Sequence, residues 1–235
     1  MQVDYVDHMG HDIRVVDAAR VSFRKMSDWE YIHDETGEVI GKDVYESDQK
    51  LIRYLATHNH WTPFSHVQIT LREKVPIFVA RQRFKHMVGF SYNEVSRRYV
   101  DDTPEFFVPD KWRRRAENAK QGSSDEVVER FNEYGVVANY GDAIDHHYKE
   151  FLIYAEGLYS DMITAGVAPE QARMVLPQSM YTEYFVTGSL AAWARAYKLR
   201  VDAHAQKEIQ AVATRWDEII TELGEMAYSW TALKL

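Results

Sequence analysis

With 235 residues, 46% hydrophobic and 27% charged, the chain has the make-up of a folded soluble protein and the length to bury one sizeable core. No run of 18 apolar residues occurs, which excludes a transmembrane helix, and zero cysteines exclude disulfides, thiolate metal sites and cysteine nucleophiles. The net charge of −8 argues against general nucleic-acid binding, the opening MQVDYVDHMGHD lacks the apolar stretch of a secretory signal, and a cytoplasmic protein is expected.

In chain order, QVDYVD and DIRVVDAARVS read as short strands leading into a helical turn. β-Formers on both sides of Thr36-Gly37 predict a surface hairpin between Trp29 and Asp43. Ser47 is placed to N-cap a helix from Asp48 to about His58, with Leu51, Ile52 and Leu55 on one face. From His66 to Val75 apolar and polar residues alternate as in a strand, and Pro76 then opens a helix from Ile77 to about Val88. Asn93 to Val100 reads as extended, Thr103 to Pro109 as loop or edge strand, and Lys111 to Ser124 as polar loop. Ser123 with Glu126 makes a capping box for a long helix towards Ala165, broken near Gly141. Ala168-Pro169-Glu170 starts a short helix that ends by Pro177, and helices follow at roughly Ser189–Arg200 and Ala203–Leu223. The expected fold class is α/β (α+β), a small mostly antiparallel sheet with a larger helical part, in a single domain over residues 1–235.

Two glycine patterns are negative. Gly37-Glu-Val-Ile-Gly41-Lys42 has too few residues between its glycines for a P-loop and Asp43 after the lysine, and no GxGxxG occurs. His58, His60 and His66 cluster in HNHWTPFSH, but no carboxylate or thiolate stands at matched spacing, so no metal is expected and an active-site loop is the better reading. Lys111-Trp-Arg-Arg-Arg115 has the composition of a phosphate-holding patch, set against a solvated loop that balances nearby acids. The stretch Arg81–Tyr99 is the most informative. On a helix Gln82, Lys85 and His86 would share a face, and beyond Gly89 an extended piece adds Asn93, Glu94, Ser96, Arg97 and Arg98. Cations, a hydroxyl and amides converging from two elements suit an anionic, hydrogen-bonding ligand such as a nucleotide monophosphate; a plain salt-bridge network is the alternative.

This stretch resembles the signature of the flavin-dependent thymidylate synthases, an Arg-His-Arg triplet followed after a short spacer by Ser; here it reads Lys85-His86-Met87, with eight residues before Ser96. Ala18-Ala-Arg-Val-Ser22, His60-Trp-Thr-Pro-Phe-Ser-His66, Pro76-Ile-Phe-Val-Ala-Arg-Gln82, Ala172-Arg-Met-Val-Leu-Pro177 and Leu199-Arg-Val-Asp-Ala-His-Ala-Gln206 are similar to further family motifs in order. The resemblance spans nearly the whole chain. It implies that family's fold and the reductive methylation of dUMP to dTMP, with methylenetetrahydrofolate as carbon donor and FAD reduced by NADPH. It also implies a homotetramer with active sites shared between subunits.

The resemblance carries roles to individual positions. Arg200 matches the catalytic arginine that favours the ionised uracil. Gln82, Lys85, Glu94, Ser96, Arg97, Arg98 and Arg173 fall on the nucleotide side. Ser22, His60, Thr62, Lys85, His86, Met87, Glu94, Arg195 and His204 fall on the flavin and folate side. Ser96 has no base beside it in the sequence and is assigned to binding. Three departures stand out: Lys85 lacks the planar guanidinium fork, Met87 replaces a cation, and Ser189-Leu-Ala191 with Arg195 stands where the family commonly has Asn-Ala-Arg and then Asn. Arg195 is a candidate for restoring the lost charge. Two other readings remain: an enzyme making a modified product such as a hydroxymethylated deoxyuridylate, or a catalytically silent relative that binds nucleotide or nucleic acid through Arg97, Arg98 and Arg113–Arg115.

Overall fold

Along Gln68–Pro76 every second side chain turns inward, placing Ile69, Leu71, Glu73 and Val75 on the buried face of one strand. The same alternation in Tyr181–Ser189 buries Thr182, Tyr184 and Val186, and the two strands pair antiparallel over their whole length. The computed structural model describes residues 1–117 and 122–235. Its elements are β1 (Gln2–Met9), α1 (Asp12–Arg20), β2 (Glu30–His33), β3 (Val39–Asp43), α2 (Glu46–Thr57), β4 (Gln68–Pro76), α3 (Ile77–Arg83), β5 (Phe90–Glu94), β6 (Arg113–Arg115), β7 (Ser123–Val127), α4 (Ile144–Thr164), α5 (Pro169–Ala172), β8 (Tyr181–Ser189), α6 (Leu190–Arg200), α7 (Lys207–Leu223) and α8 (Ala227–Lys234). An antiparallel sheet in the order β1-β4-β8-β5 is flanked by two small hairpins, β2–β3 and β6–β7. Helices α6 and α7 cover its inner face and α8 packs against them and α2; Trp193, Trp216 and Trp230 on these three helices have almost no exposed surface. Among the described residues no helix is long and apolar enough to cross a membrane. The α/β class with a small antiparallel sheet stands.

Several local expectations are corrected. Asp12–Arg20 is a helix, not a strand: its buried residues Asp12, Ile13, Val15 and Val16 lie on one helical face. The Asp12 carboxylate accepts the backbone N–H groups of Tyr228 and Ser229, tying α1 to the start of α8, an element the sequence did not suggest. Helix α2 starts at Glu46 rather than after Ser47, because Asp48 is drawn inward by Arg20 and Ser27. The capping box at Ser123 and Glu126 does not open a helix: Ser123–Val127 pairs with Arg113–Arg115, and the long helix begins only at Ile144. The predicted loop Lys111–Ser124 thus contains a hairpin, and its central residues 118–121 lie outside the described residues. Helix α3 stops at Arg83, so Lys85 and His86 sit in the following turn and not on its face. The extended reading of Asn93–Val100 holds only to Glu94, since the N–H groups of Tyr99 and Val100 turn back to the Ser96 carbonyl.

Candidate active site

The strand register separates the candidate residues. Gln68 pairs with Ser189 and Gly188 with Phe90 at one end of the sheet; Pro76 pairs with Tyr181 and Glu94 with Tyr184 towards the other. The two ends of β5 are roughly 13 Å apart, four residue rises of strand.

Beyond Glu94 a cavity of about 560 Å³ opens, lined by Glu94, Ser96, Arg97 and Arg98 from the turn after β5, by Arg173 from the turn after α5, and by Thr182 of β8. The buried Thr182 hydroxyl donates to Glu94 Oε1 (2.6 Å) and holds that carboxylate at the cavity edge. Arg97 is tied down by the Asp102 carboxylate (2.9 Å) and lies over the Tyr159 ring. Arg98 donates from Nε to Ser96 Oγ (3.3 Å), and Arg173 donates to the Glu170 carbonyl (3.2 Å). Neither Arg98 nor Arg173 meets a carboxylate among the described residues. Ser96 thus has the Arg98 guanidinium beside it.

The turn Phe84–Gly89 holds a second group. Gly89 has a φ of +81°, and a Cβ there would come within 2.9 Å of the Ala192 methyl, so only glycine lets this turn pack on α6. Arg200, at the end of α6, donates from Nε to His86 Nε2 (2.8 Å) and from Nη2 to the Gln82 carbonyl (2.9 Å). A guanidinium N–H can only donate, so His86 Nε2 bears the lone pair and the ring proton sits on Nδ1. Burial, and then the charges of Arg200, Arg83 and Arg195, push His86 down to about 4. The Gln82 side chain is turned away to Gln206 Oε1 (2.6 Å). None of Gln82, His86 and Arg200 lines the Ser96 cavity.

Behind the turn lies a polar cluster that sequence reasoning missed. Arg83 and Glu73 have no exposed surface and pair at 3.4 Å. Tyr184 donates to Glu73 Oε2 (2.5 Å), and Arg83 Nη1 donates to the Tyr92 hydroxyl (2.6 Å), which itself donates to the His86 carbonyl (2.7 Å). The Arg83 guanidinium lies between the rings of Phe90 (4.3 Å), Trp193 (4.7 Å) and Trp216 (4.7 Å). The available signal was a charge on each apolar face: Glu73 in the inward register of β4, and Arg83 in line with Val79 and Ala80 on α3.

The remaining flavin-side candidates are surface residues. His60 and Thr62 lie between α2 and β4, Ser22 in the turn after α1, Lys85 and Met87 in the Phe84–Gly89 turn, and His204 after α6 with its ring on Asp202 (3.0 Å). Arg195 donates to the Val88 carbonyl, one residue beyond Met87. His58 turns back to the Tyr54 carbonyl (2.8 Å) and stacks on that ring. Among the described residues no three His, Asp or Glu side chains are arranged to hold a metal. In the basic run Arg113 pairs with Glu208 (2.6 Å) and Arg114 with Glu126 (2.8 Å), which favours the charge-balancing reading over a nucleic-acid patch.

The sequence matches the thymidylate synthase complementing protein family over residues 4–223. The chain belongs to that family. It is 37% identical over 217 residues to a flavin-dependent thymidylate synthase of Thermosipho africanus, covering 92% of this chain and 84% of that one. A flavin-dependent thymidylate synthase of Thermus thermophilus is 35% identical over 231 residues, 97% of this chain and 74% of that one. Among solved structures, a UMP/dUMP methylase, PolB, from Streptomyces cacaoi bound with 5-Br UMP superposes with a TM-score of 0.74 at 27% identity, covering 99% of this chain and 93% of that one. Family membership accounts for the motifs at Ala18–Ser22, His60–His66 and Ala172–Pro177, which lie far apart in the chain.

Proposed function

We propose that the chain is a flavin-dependent thymidylate synthase that reductively methylates dUMP to dTMP, folded as one domain over residues 1–235 and working in the cytoplasm. The observation that carries this reading is the Ser96 cavity with Arg98 and Arg173, two guanidinium groups that pair with no carboxylate among the described residues, beside a hydroxyl and the Thr182-held Glu94; the cavity's other acids, Asp102, Glu105 and Glu183, are taken up by Arg97, Lys74 and Arg72. Such a set suits a phosphate dianion on a hydrogen-bonding ring, the chemistry of dUMP. Arg97 is the weaker candidate because Asp102 already holds it.

The residues present fit a flavin. Ser22, His60, Thr62 and Lys85 are exposed side chains, each close in sequence to an exposed apolar one: Phe23, Trp61, Met87 and Val88. A flat apolar ring with a polar rim and phosphates needs both kinds of neighbour. Bound FAD supplies the reducing equivalent, with NADPH as the proposed reductant and methylenetetrahydrofolate as the proposed carbon donor; His60 and His204 are the residues offered to the folate side. Arg200 stabilises negative charge on the pyrimidine as its C5 becomes nucleophilic, already oriented by His86 and Gln82 so that little reorganisation is needed.

Arg200 does not line the Ser96 cavity of its own chain. That supports a site completed between subunits of a homotetramer, in which one chain's Phe84–Gly89 turn meets another's Ser96 cavity. The exposed apolar side chains Phe151, Ile153 and Tyr154 on α4 are surface that such packing would cover. The test is the visible spectrum of the purified protein, followed by the product mass from dUMP with labelled methylenetetrahydrofolate and NADPH. Flavin absorbance and dTMP are expected. A colourless protein, or a hydroxymethylated product, overturns the reading. UMP belongs in the same assay, since the PolB structure is described as a UMP/dUMP methylase.

A further inference from the structure

A buried ion pair is costly to keep in a core, because desolvating both charges offsets most of their attraction. Glu73 and Arg83 nevertheless occupy inward positions where Leu or Val would pack, and Arg83 Nη2 is left without a hydrogen-bond partner among the described residues. What the pair does is visible in its outward connections. Glu73 fixes Tyr184 on β8; Arg83 fixes the hydroxyl of Tyr92 on β5; and that hydroxyl meets the backbone of the turn that carries His86.

We propose that Arg83 and Tyr92 are positioning residues for Arg200: Arg83, anchored on Glu73, holds the Tyr92 hydroxyl on the His86 carbonyl, and the turn so fixed presents His86 Nε2 to the Arg200 guanidinium. Two of Arg200's nitrogens are thereby committed, which sets the direction of the third. The charged groups acting on the His86 ring are all cations, Arg83 from α3 and Arg195 and Arg200 from α6. They oppose imidazolium, so His86 remains an acceptor. Arg83 thus acts twice, through the Tyr92 bond and through its charge.

The proposal rests on the dUMP-methylating reading only for its rate measurement; a histidine titration reads it independently. In flavin-loaded protein with 15N-labelled histidine, and with His86→Asn to identify the signal, His86 is expected to keep its proton on Nδ1 and to stay neutral down to about pH 4. Tyr92→Phe removes one hydroxyl and should fold normally. Its kcat is expected to fall roughly tenfold with dUMP KM little changed, the effect of one lost hydrogen bond expressed in the transition state. Arg83→Lys keeps the charge and loses the fork, so it should copy the kcat loss of Tyr92→Phe while His86 titrates as in wild type. Arg83→Met with Glu73→Gln removes both charges, leaves Tyr184 an acceptor, and should let His86 protonate at higher pH than in wild type, though still below an ordinary histidine because burial and Arg200 remain. If Tyr92→Phe and Arg83→Lys both turn over like wild type, the positioning role is wrong. If His86 in the double variant titrates as in wild type, the electrostatic half is wrong. A wild-type enzyme that shows the expected His86 behaviour without methylating dUMP overturns the functional reading alone.

Discussion

Arginine does opposite work in two regions of this molecule. Around the Ser96 cavity, Arg98 and Arg173 are exposed and meet no carboxylate among the described residues. Behind the Phe84–Gly89 turn, Arg83 has no exposed surface, one carboxylate and several aromatic faces. Water screens the first pair, so those groups are inexpensive to leave unpaired and available to an incoming anion. Nothing screens Arg83, so its position is dictated by its neighbours and it dictates theirs in turn. Arg200 stands between the two regimes, half-buried, with two nitrogens committed. On the proposed roles, charge for binding and charge for positioning are told apart by burial and partners, not by residue type.

The contrast breaks most sharply at Glu73. Glu73→Leu leaves Arg83 buried and uncompensated, and is expected to lower unfolding stability by about 3–5 kcal/mol in a urea titration. Arg173→Ala should stay within about 0.5 kcal/mol of wild type in the same measurement, as for an exposed side chain. Equal losses in both would erase the distinction. Next in size is Arg200→Ala. Losing one oriented donor to developing charge costs about 2.7–4 kcal/mol of barrier, roughly a hundred- to a thousand-fold in turnover at saturating dUMP. The flavin-to-protein ratio should be retained, and Arg200→Lys should recover only part of the rate. Near-normal turnover in Arg200→Ala would make this residue structural.

The sequence carried the cavity side more legibly than the buried side. Ser96, Arg98 and Arg173 are polar residues in polar turns, and a motif suffices to find them. Glu73 and Arg83 need their register against β8 and α6 to have meaning, and β8, Tyr181–Ser189, is not among the strands read from the sequence. Its outward Phe185 and its Gly188 blur the alternation; the glycine is there because a Cβ would meet the Phe90 ring at 2.2 Å. The β-branched Ile13, Val15 and Val16 of α1 suit a strand locally, and tertiary burial along one helical face overrides that propensity. The capping box at Ser123 was a local pattern defeated by pairing with a strand eight to ten residues earlier.

Smaller effects sharpen the cavity side. Arg98→Ala and Arg173→Ala should each weaken dUMP by about 1.5–3 kcal/mol, the value of a charge-assisted hydrogen bond, with the flavin ratio unchanged. Added salt should weaken wild-type dUMP binding and affect each variant less, because fewer screened contacts remain. Acid probes the other region. His86 is pushed down to about 4 against an ordinary 6.5, so between those values the unfolded chain binds more protons and this group's contribution to stability falls as pH falls from about 6.5 towards 4. Asp12, pushed up to about 6 by burial, works the opposite way, gaining a proton in the folded state as pH falls. A melting curve sums these with the other shifted groups, among them His11, which burial also pushes down. Comparing wild type with His86→Asn across that window isolates the histidine, and a parallel pH dependence in both would remove His86 as the acid-sensitive group.

The smallest expected effect concerns Met87, where the family signature has a cation. Met87 is 74% exposed, and Arg195 from α6 donates to the carbonyl of Val88 beside it. A guanidinium already occupies the neighbourhood, delivered from α6 rather than from the turn itself. Met87→Arg would therefore set two like charges close together, and the repulsion is expected to weaken flavin binding by about 0.2–1 kcal/mol, the scale of exposed charge pairs. Removing the resident charge should reverse the sign: Met87→Arg with Arg195→Asn is expected to bind flavin as well as wild type, since one cation again serves the site. Arg195→Asn alone should bind more weakly than either. Flavin titrations of the three proteins at low and physiological salt decide the matter, because a charge effect shrinks with salt and a packing effect does not. If none of the three differs from wild type, neither position lines the flavin, and the cation lost from the triplet has no replacement on α6.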